Sequence, residues 1–328
     1  ERRPASMYGK LNRIVATPCS FMPPAKPTRN GWSMPAPAPC AMTSTGAPFF
    51  GVTNTAETVP FPVSTLRRCS LVGMHGIMPG MAGNLYLGTS GFAYDGWKHD
   101  VFYPEGLKNR EMLTYYSSQL SSVEINYTFR RWPTEKSLTT WRELANEGFM
   151  FTLKANQRIT HFKRLQDTDE DVRDFLERAR LLEDRLGCIL FQCPPTLQYD
   201  RALIEAFVGY LPPGPPRFAM EFRHPSWSAA RELLLDQGVA WCVAETDDKD
   251  PAPEDLSWEP AGYLRLRKTE YPDDELQAWA NTIRRALDAG SDVFCYFKHE
   301  EDGFGPKTAK RLDAMVSSSS SADVPTEP

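Results

Sequence analysis

Cysteine is scarce, with 7 in 328 residues. That is too few for the disulfide-dense framework of a small secreted scaffold. No apolar stretch approaches the roughly 18 uninterrupted residues of a membrane-spanning helix. The glycine pattern GxGxxG is missing: Gly88-Thr89-Ser90-Gly91 lacks its spacing, so no dinucleotide cofactor is expected. Cys188 and Cys193 do not form a CxxC pair and read as core positions. The loop histidines are scattered, and no metal is expected. What the chain does have is 41% hydrophobic and 12% aromatic residues, enough to bury a large core and too apolar for wholesale disorder.

Charge is unevenly spread. Residues 1–84 hold eight basic and two acidic side chains, whereas the remainder holds 29 basic and 40 acidic ones. The acidic body makes a nucleic-acid partner unlikely by charge alone. Twelve of the 28 prolines also fall in 1–84, as in Pro35-Ala36-Pro37-Ala38-Pro39, and no helical or alternating period survives there. This stretch is expected to be a disordered extension. It reads as a tail, an organelle transit peptide, or a start assigned too far upstream, since Met81 precedes the first convincing strand by four residues. Residues 317–328, opening with five serines, read as a second disordered tail. Without a span the chain is expected in the cytoplasm, or in an organelle if 1–84 is a transit peptide.

From Leu85 to about residue 316, β-branched or aromatic runs alternate with helical periods. Strands are expected at Leu85–Thr89, Ser122–Asn126, Met150–Ala155, Cys188–Gln192, Arg217–Phe222, Ala240–Ala244, Tyr263–Arg267 and Asp292–Phe297. Helices are expected at Arg110–Gln119, Thr134–Asn146, Asp169–Leu186 with Thr168 as cap, and Asp200–Leu211. Others follow from a Ser226 or Ser228 cap to Gln237, at Pro253–Trp258 (weakly), Asp273–Ala289 and Pro306–Met315. Eight strands, each followed by a helix, in roughly 230 residues give an α/β fold: one (β/α)8 TIM-type barrel. An open doubly wound sheet is the runner-up.

Chemistry in such barrels sits at the carboxyl ends of the strands. There the chain offers Ser90 and Tyr94 after strand one, Glu124 and Asn126 at strand two, Lys154 at strand three and Gln192 at strand four. Glu221, Arg223 and His224 end strand five, Glu245 to Asp247 strand six, Arg265 and Arg267 strand seven, and Lys298 strand eight. Alternation puts Glu124 with Asn126, Glu221 with Arg223, and Arg265 with Arg267 on one side, and turns Ile125, Phe222 and Leu266 toward the helices. Glu124 and Glu221 can form an acid/base pair. Lys154 can act as a base or as a Schiff-base nucleophile. For each, mutual ion pairing competes with catalysis. The excess of cations favours an anionic small-molecule ligand, with Ser90, Tyr94, Asn126, His161, Gln192, Arg223, His224, Trp227, Arg265 and Lys298 as contacts. Helix eight can hold a phosphate at its start or merely be a capped turn. The aromatic residues after strands one, two and five can stack a ligand or pack the loops.

Several stretches together resemble the DUF72 family, the YecE-like proteins. They are Gly88-Thr89-Ser90-Gly91-Phe92 with Trp97, Val123-Glu124-Ile125-Asn126, Lys154-Ala155, Ile159-Thr160-His161, Phe191-Gln192-Cys193-Pro194-Pro195, and Glu221-Phe222-Arg223-His224-Pro225-Ser226-Trp227. The resemblance implies a TIM-type barrel over 85–315 and leaves its chemistry open. Where that family often has Arg-Leu-His-Gly on strand seven, this chain has Arg265-Leu266-Arg267-Lys268, which makes the mouth more basic. Two functions follow as expectations. One is an enzyme using Glu124, Lys154 and Glu221 on a small anionic or hydroxylated substrate. The other is a non-catalytic module binding a metabolite or a protein.

Overall fold

The computed structural model describes residues 82–248, 261–298 and 303–318. Of the expected extension 1–84, residues 1–81 lie outside the described residues, as do the weak helix Pro253–Trp258, His299 and residues 319–328 of the expected tail; Ser317 and Ser318, expected in that tail, instead end the last helix. Eight strands run β1 (Leu85–Thr89), β2 (Ser122–Ile125), β3 (Met150–Lys154), β4 (Leu186–Gln192), β5 (Arg217–Glu221), β6 (Val239–Glu245), β7 (Ala261–Leu266) and β8 (Asp292–Phe297). The α-helices between and after them are α1 (Met112–Gln119), α2 (Tyr127–Arg130), α3 (Glu135–Leu144), α4 (Asp169–Ala179), α5 (Arg201–Gly209), α6 (Arg231–Asp236), α7 (Asp273–Asp288) and α8 (Phe304–Ser318). All strand pairs are parallel, in the order β1-β8-β7-β6-β5-β4-β3-β2. This is the expected TIM-type (β/α)8 barrel.

Parallel strands covered on both faces read as continuous apolar runs. Every residue of Leu186–Gln192 is buried accordingly. Alternation sorts the side chains into two layers. Ile125, Leu153, Phe191, Met220 and Leu266 fill the space between sheet and helices. Cys188, Leu190, Ala219, Cys242, Tyr263 and Tyr296 fill the barrel itself. The free thiols Cys188, Cys193, Cys242 and Cys295 are all buried.

The barrel closes between β1 and β2 by side chains. One isolated bridge joins Ser90 to Glu124. The remaining partners are hydroxyls: the Leu87 amide donates to Ser121 Oγ at 2.8 Å, and the Thr89 amide to Tyr116 Oη at 2.8 Å. Tyr116 Oη also lies 2.7 Å from Thr89 Oγ1 and donates to the Ser122 carbonyl at 3.2 Å. Glycine at 88 is required here, because a Cβ would lie 1.8 Å from the Ser122 oxygen.

Several helix boundaries differ from the sequence reading; α8, for instance, runs from Phe304 to Ser318 where Pro306–Met315 was expected. The helix expected to reach Leu186 ends at Ala179 and passes into a 3₁₀ segment, Arg180–Arg185, in which Glu183 has φ 54°. Leu186 belongs to β4, whose burial outweighs its helical spacing. The turn before α6 is capped by His224, whose Nδ1 accepts from the Ser226 amide at 3.2 Å, and not by Ser226 or Ser228. Thr168 starts α4 without a side-chain capping bond; its hydroxyl instead donates to the Leu165 carbonyl. No helix among the described residues is long and apolar enough to cross a membrane.

Candidate functional site

The inward side chains at the carboxyl ends of β2, β3, β4, β5 and β7 form one connected group. At its centre is Arg265, 2% exposed. One terminal nitrogen donates to Glu221 Oε2 at 2.6 Å and the other to Glu124 Oε1 at 2.8 Å, across the barrel. Glu124 also accepts from Tyr263 Oη at 2.7 Å, Ser90 Oγ at 2.9 Å and Asn126 Nδ2 at 3.1 Å. Glu221 also accepts from Gln192 Nε2 at 2.7 Å and Arg223 Nε at 3.1 Å. Both carboxylates are thus buried and fully engaged.

Electrostatics follow from this pairing. Burial by itself raises the pKa of Glu221, but Arg265 and Arg223 outweigh it and hold the carboxyl at about 2. At Glu124 burial is likewise overridden, by Arg265, the Tyr263 hydroxyl and Lys154, so its pKa is lowered. Neither group holds a proton to give near neutral pH, and neither has the raised pKa of a general acid.

Lys154 is placed differently. It is 8% exposed, and its ammonium donates to the neutral carbonyl of Gln192 at 2.6 Å. The same nitrogen lies 4.1 Å from the Phe129 ring centroid. Gln192 therefore stands between Lys154 and Glu221, with its oxygen toward the cation and its NH2 toward the carboxylate. Burial, reinforced by Arg265 and only partly opposed by Glu124 and Glu221, pulls the Lys154 pKa down to about 8.

Around this pair lie further cations. Arg223 is 44% exposed with its Nε on Glu221. Arg267, two residues beyond Arg265, is half-buried, and no side-chain hydrogen bond or ion pair engages it among the described residues. Burial and the nearby Arg265 lower its pKa, with Glu221 and Glu124 opposing. His161 packs its ring edge on Phe129 at 4.9 Å and holds Thr160 Oγ1 with Nδ1 at 2.9 Å. Burial, Lys154 and Arg223 lower its pKa. Lys298 follows β8, its amide bound to the Leu266 carbonyl at 3.0 Å.

Other expected contacts serve the scaffold. Trp227 is buried, stacks on Phe222 at 4.0 Å, and donates its indole N–H to the Leu197 carbonyl at 2.7 Å. It has no face to offer a ligand. His224 is the cap described above. Tyr94 donates to the Ser90 carbonyl at 2.6 Å and packs on Trp97, and burial raises its pKa to about 12. Its hydroxyl fits only because residue 91 is glycine with φ 97°; a Cβ there would come within 2.3 Å. Trp97 and Tyr103 are likewise buried, so the aromatic residues after β1 pack their loop. On β6, Glu245 turns outward to Tyr271 and Trp279, and Asp247 ties the Thr269 loop. Phe129 is one of the aromatic residues expected after strand two, and it meets Lys154 and His161; Tyr263 was missed by the sequence reading. Tyr263 shares the parity of Arg265, and that was the signal.

Among the described residues no group of three or more His, Cys, Asp and Glu converges as a metal site would require. What the layer offers is a buried, fixed carboxylate–guanidinium platform, one depressed lysine beside it, and cations in excess at the rim.

A (β/α)8 barrel with a polar strand-end layer is the class these features define. The family model described as "Protein of unknown function DUF72" matches residues 86–328, and the chain belongs to that family. It is 22% identical over 271 residues to the UPF0759 protein YunF of Bacillus subtilis, covering 70% of this chain and 93% of that one. The crystal structure of a DUF72 family protein from Thermotoga maritima is similar, with TM-score 0.60 and 25% identity over 71% of this chain and 99% of that one. A DUF72 family protein from Enterococcus faecalis matches with TM-score 0.58 and 15% identity, over 72% and 98% of the two chains.

Proposed function

We propose that this barrel is an enzyme acting by acid/base chemistry on a small anionic, hydroxylated or carbonyl-bearing substrate at its C-terminal face. The observation that carries this reading is the pairing of Lys154 with a neutral amide while both neighbouring carboxylates are spent on Arg265. Lys154 is the base, since its pKa of about 8 lies close to working pH. Glu124 and Glu221 act as positioning residues that fix Arg265. Arg267 and Arg223 receive the anionic group: no side-chain hydrogen bond or ion pair engages the Arg267 guanidinium among the described residues, and Arg223 is open to solvent with one bond to Glu221. A guanidinium recognises carboxylate or phosphate with two parallel hydrogen bonds.

Inorganic phosphate tests the anion site. It should raise the melting temperature of the full chain, since a ligand that binds only the folded state stabilises it. Arg267→Gln should remove that gain; an unchanged gain would place the anion elsewhere. A thermal-shift screen of phosphorylated and carboxylated metabolites then supplies candidate substrates. Lys154→Met should bind a hit and fail to convert it. A hit that wild type also leaves unconverted would favour a non-catalytic binding module.

A further inference from the structure

We infer that Lys154 is an imine-forming lysine whose substrates are ketones or aldehydes carrying a carboxylate or phosphate group. This rests on the anionic-ligand reading above and adds a covalent step to it.

Three placements carry it. First, Lys154 Nζ ends inside the barrel on the Phe129 ring, with the Gln192 carbonyl as its hydrogen-bond acceptor. An amine clamped by a carboxylate stays an ammonium with no lone pair to offer. One held by a neutral acceptor in low dielectric can shed a proton at modest cost. The charged groups facing it are Arg265 and Arg223, which disfavour the proton, and Glu124 and Glu221, which favour it; burial tips the balance toward loss. Second, His161 rests on the same Phe129 ring, so one aromatic side chain positions both groups. Its Nδ1 is held by Thr160, while Nε2 makes no hydrogen bond among the described residues. Its lowered pKa keeps the imidazole neutral and able to accept a proton. Third, Arg223 donates to Glu221, and Arg267 lies close enough to Arg265, Glu221 and Arg223 to feel their charges, so both cations stand at the strand-end face that holds Lys154 and can receive the anion.

The step balances without a co-reactant. His161 Nε2 takes one proton from the Lys154 ammonium. The freed lone pair attacks the carbonyl carbon, forming the C–N bond while the C–O π bond breaks. The oxygen takes one proton from nitrogen and, from His161, the one first removed. It leaves as water when the C–O σ bond breaks. The nitrogen keeps the third proton and the positive charge, giving a protonated imine. That cation withdraws electrons from the adjacent carbon, which defines the reaction class as proton exchange or C–C cleavage beside a carbonyl.

The experiment uses the full chain with pyruvate and sodium cyanoborohydride at neutral pH, followed by peptide mapping. The expected result is a reduced adduct on Lys154, formed at least roughly tenfold faster than on exposed lysines, because a lowered pKa supplies more free amine. It should saturate with pyruvate, fall on adding inorganic phosphate or on Arg267→Gln, and be weak with acetone, which has the carbonyl but no acid group. Label spread over surface lysines, or an unmodified Lys154, would overturn the inference. The phosphate melting shift separates the two readings. A shift with no adduct on Lys154 sinks the imine alone. Neither shift nor adduct sinks both. Mapping the wild-type chain keeps the result independent of whether any variant folds.

Discussion

The side-chain amide of Gln192 keeps Lys154 off Glu221: its oxygen accepts from the ammonium at 2.6 Å while its NH2 donates to the carboxylate at 2.7 Å. An oppositely charged pair that would neutralise itself by direct contact is thereby held apart. Gln192→Glu should undo this. It offers Lys154 a carboxylate, so the ammonium is favoured and its pKa rises. The pH midpoint of Lys154 labelling should move upward from about 8. An unmoved midpoint would mean that burial alone sets the value.

Glu221→Gln tests the platform. The change keeps shape but leaves Arg265 with one of its two carboxylates, inside a barrel where water cannot compensate. Breaking a buried pair in this way costs roughly 3–5 kcal/mol. Urea unfolding should show a midpoint far below wild type. Arg265→Lys should be similarly harmful, because one ammonium cannot reach both Glu124 and Glu221 as the two guanidinium nitrogens do. A Glu221→Gln protein that unfolds like wild type but loses activity would restore Glu221 to a catalytic role.

Lys154 also makes a stability prediction with a definite sign. Its folded pKa of about 8 lies below the ordinary 10.5, so the unfolded chain binds more protons between those values. Stability therefore rises with pH across that window, by roughly 3 kcal/mol in total. Glu221 acts at the other end. Its folded pKa of about 2 lies below the ordinary 4.5, so its contribution is complete above pH 4.5 and is lost as pH falls toward 2. Unfolding free energies of wild type and Lys154→Met, compared across the alkaline window, isolate the lysine. Parallel curves would show that Lys154 titrates normally.

Tyr116→Phe tests the closure of the barrel. It deletes the acceptor of the buried Thr89 amide and the hydroxyl partner of Thr89 Oγ1 while leaving the ring in place. Leaving a buried donor unsatisfied costs about 1–3 kcal/mol. The Thr89 amide should exchange hydrogen faster than other β1 amides. Unchanged protection at Thr89 would show that β1 is held by β8 alone.

The barrel was legible because eight apolar strand periods recur in order, and parity alone sent Glu124, Glu221 and Arg265 inward. Depth was not legible. Arg265 and Arg267 share a side, yet one is consumed by two carboxylates and the other has no such partner among the described residues, since two residues move a side chain roughly 6.6 Å along a strand. Pairing across the barrel joins residues over a hundred positions apart, as Arg265 with Glu124, separated by 141, and no local pattern encodes it. The same holds for Trp227 and His224. Their types suit ligand contact, but the Leu197 carbonyl and the Ser226 amide claim them first. The helix that stops at Ala179 shows burial of Leu186 in β4 overruling a helical period.

The way β1 is held has a consequence for synthesis. Its ladder partner is β8, and Asn84 beside it is bonded to Asp292, 208 residues later. Toward β2 it has one bridge and two hydroxyl acceptors. On a ribosome β1 thus emerges long before β8, yet it cannot be seated until β8 arrives. Chains released early should expose β1 and the open edge of β2 to other molecules, whereas chains truncated from the front lose only one ladder. Contacts this distant also slow folding, so full-length yield in cells should depend more on the integrity of β8 than on any other strand.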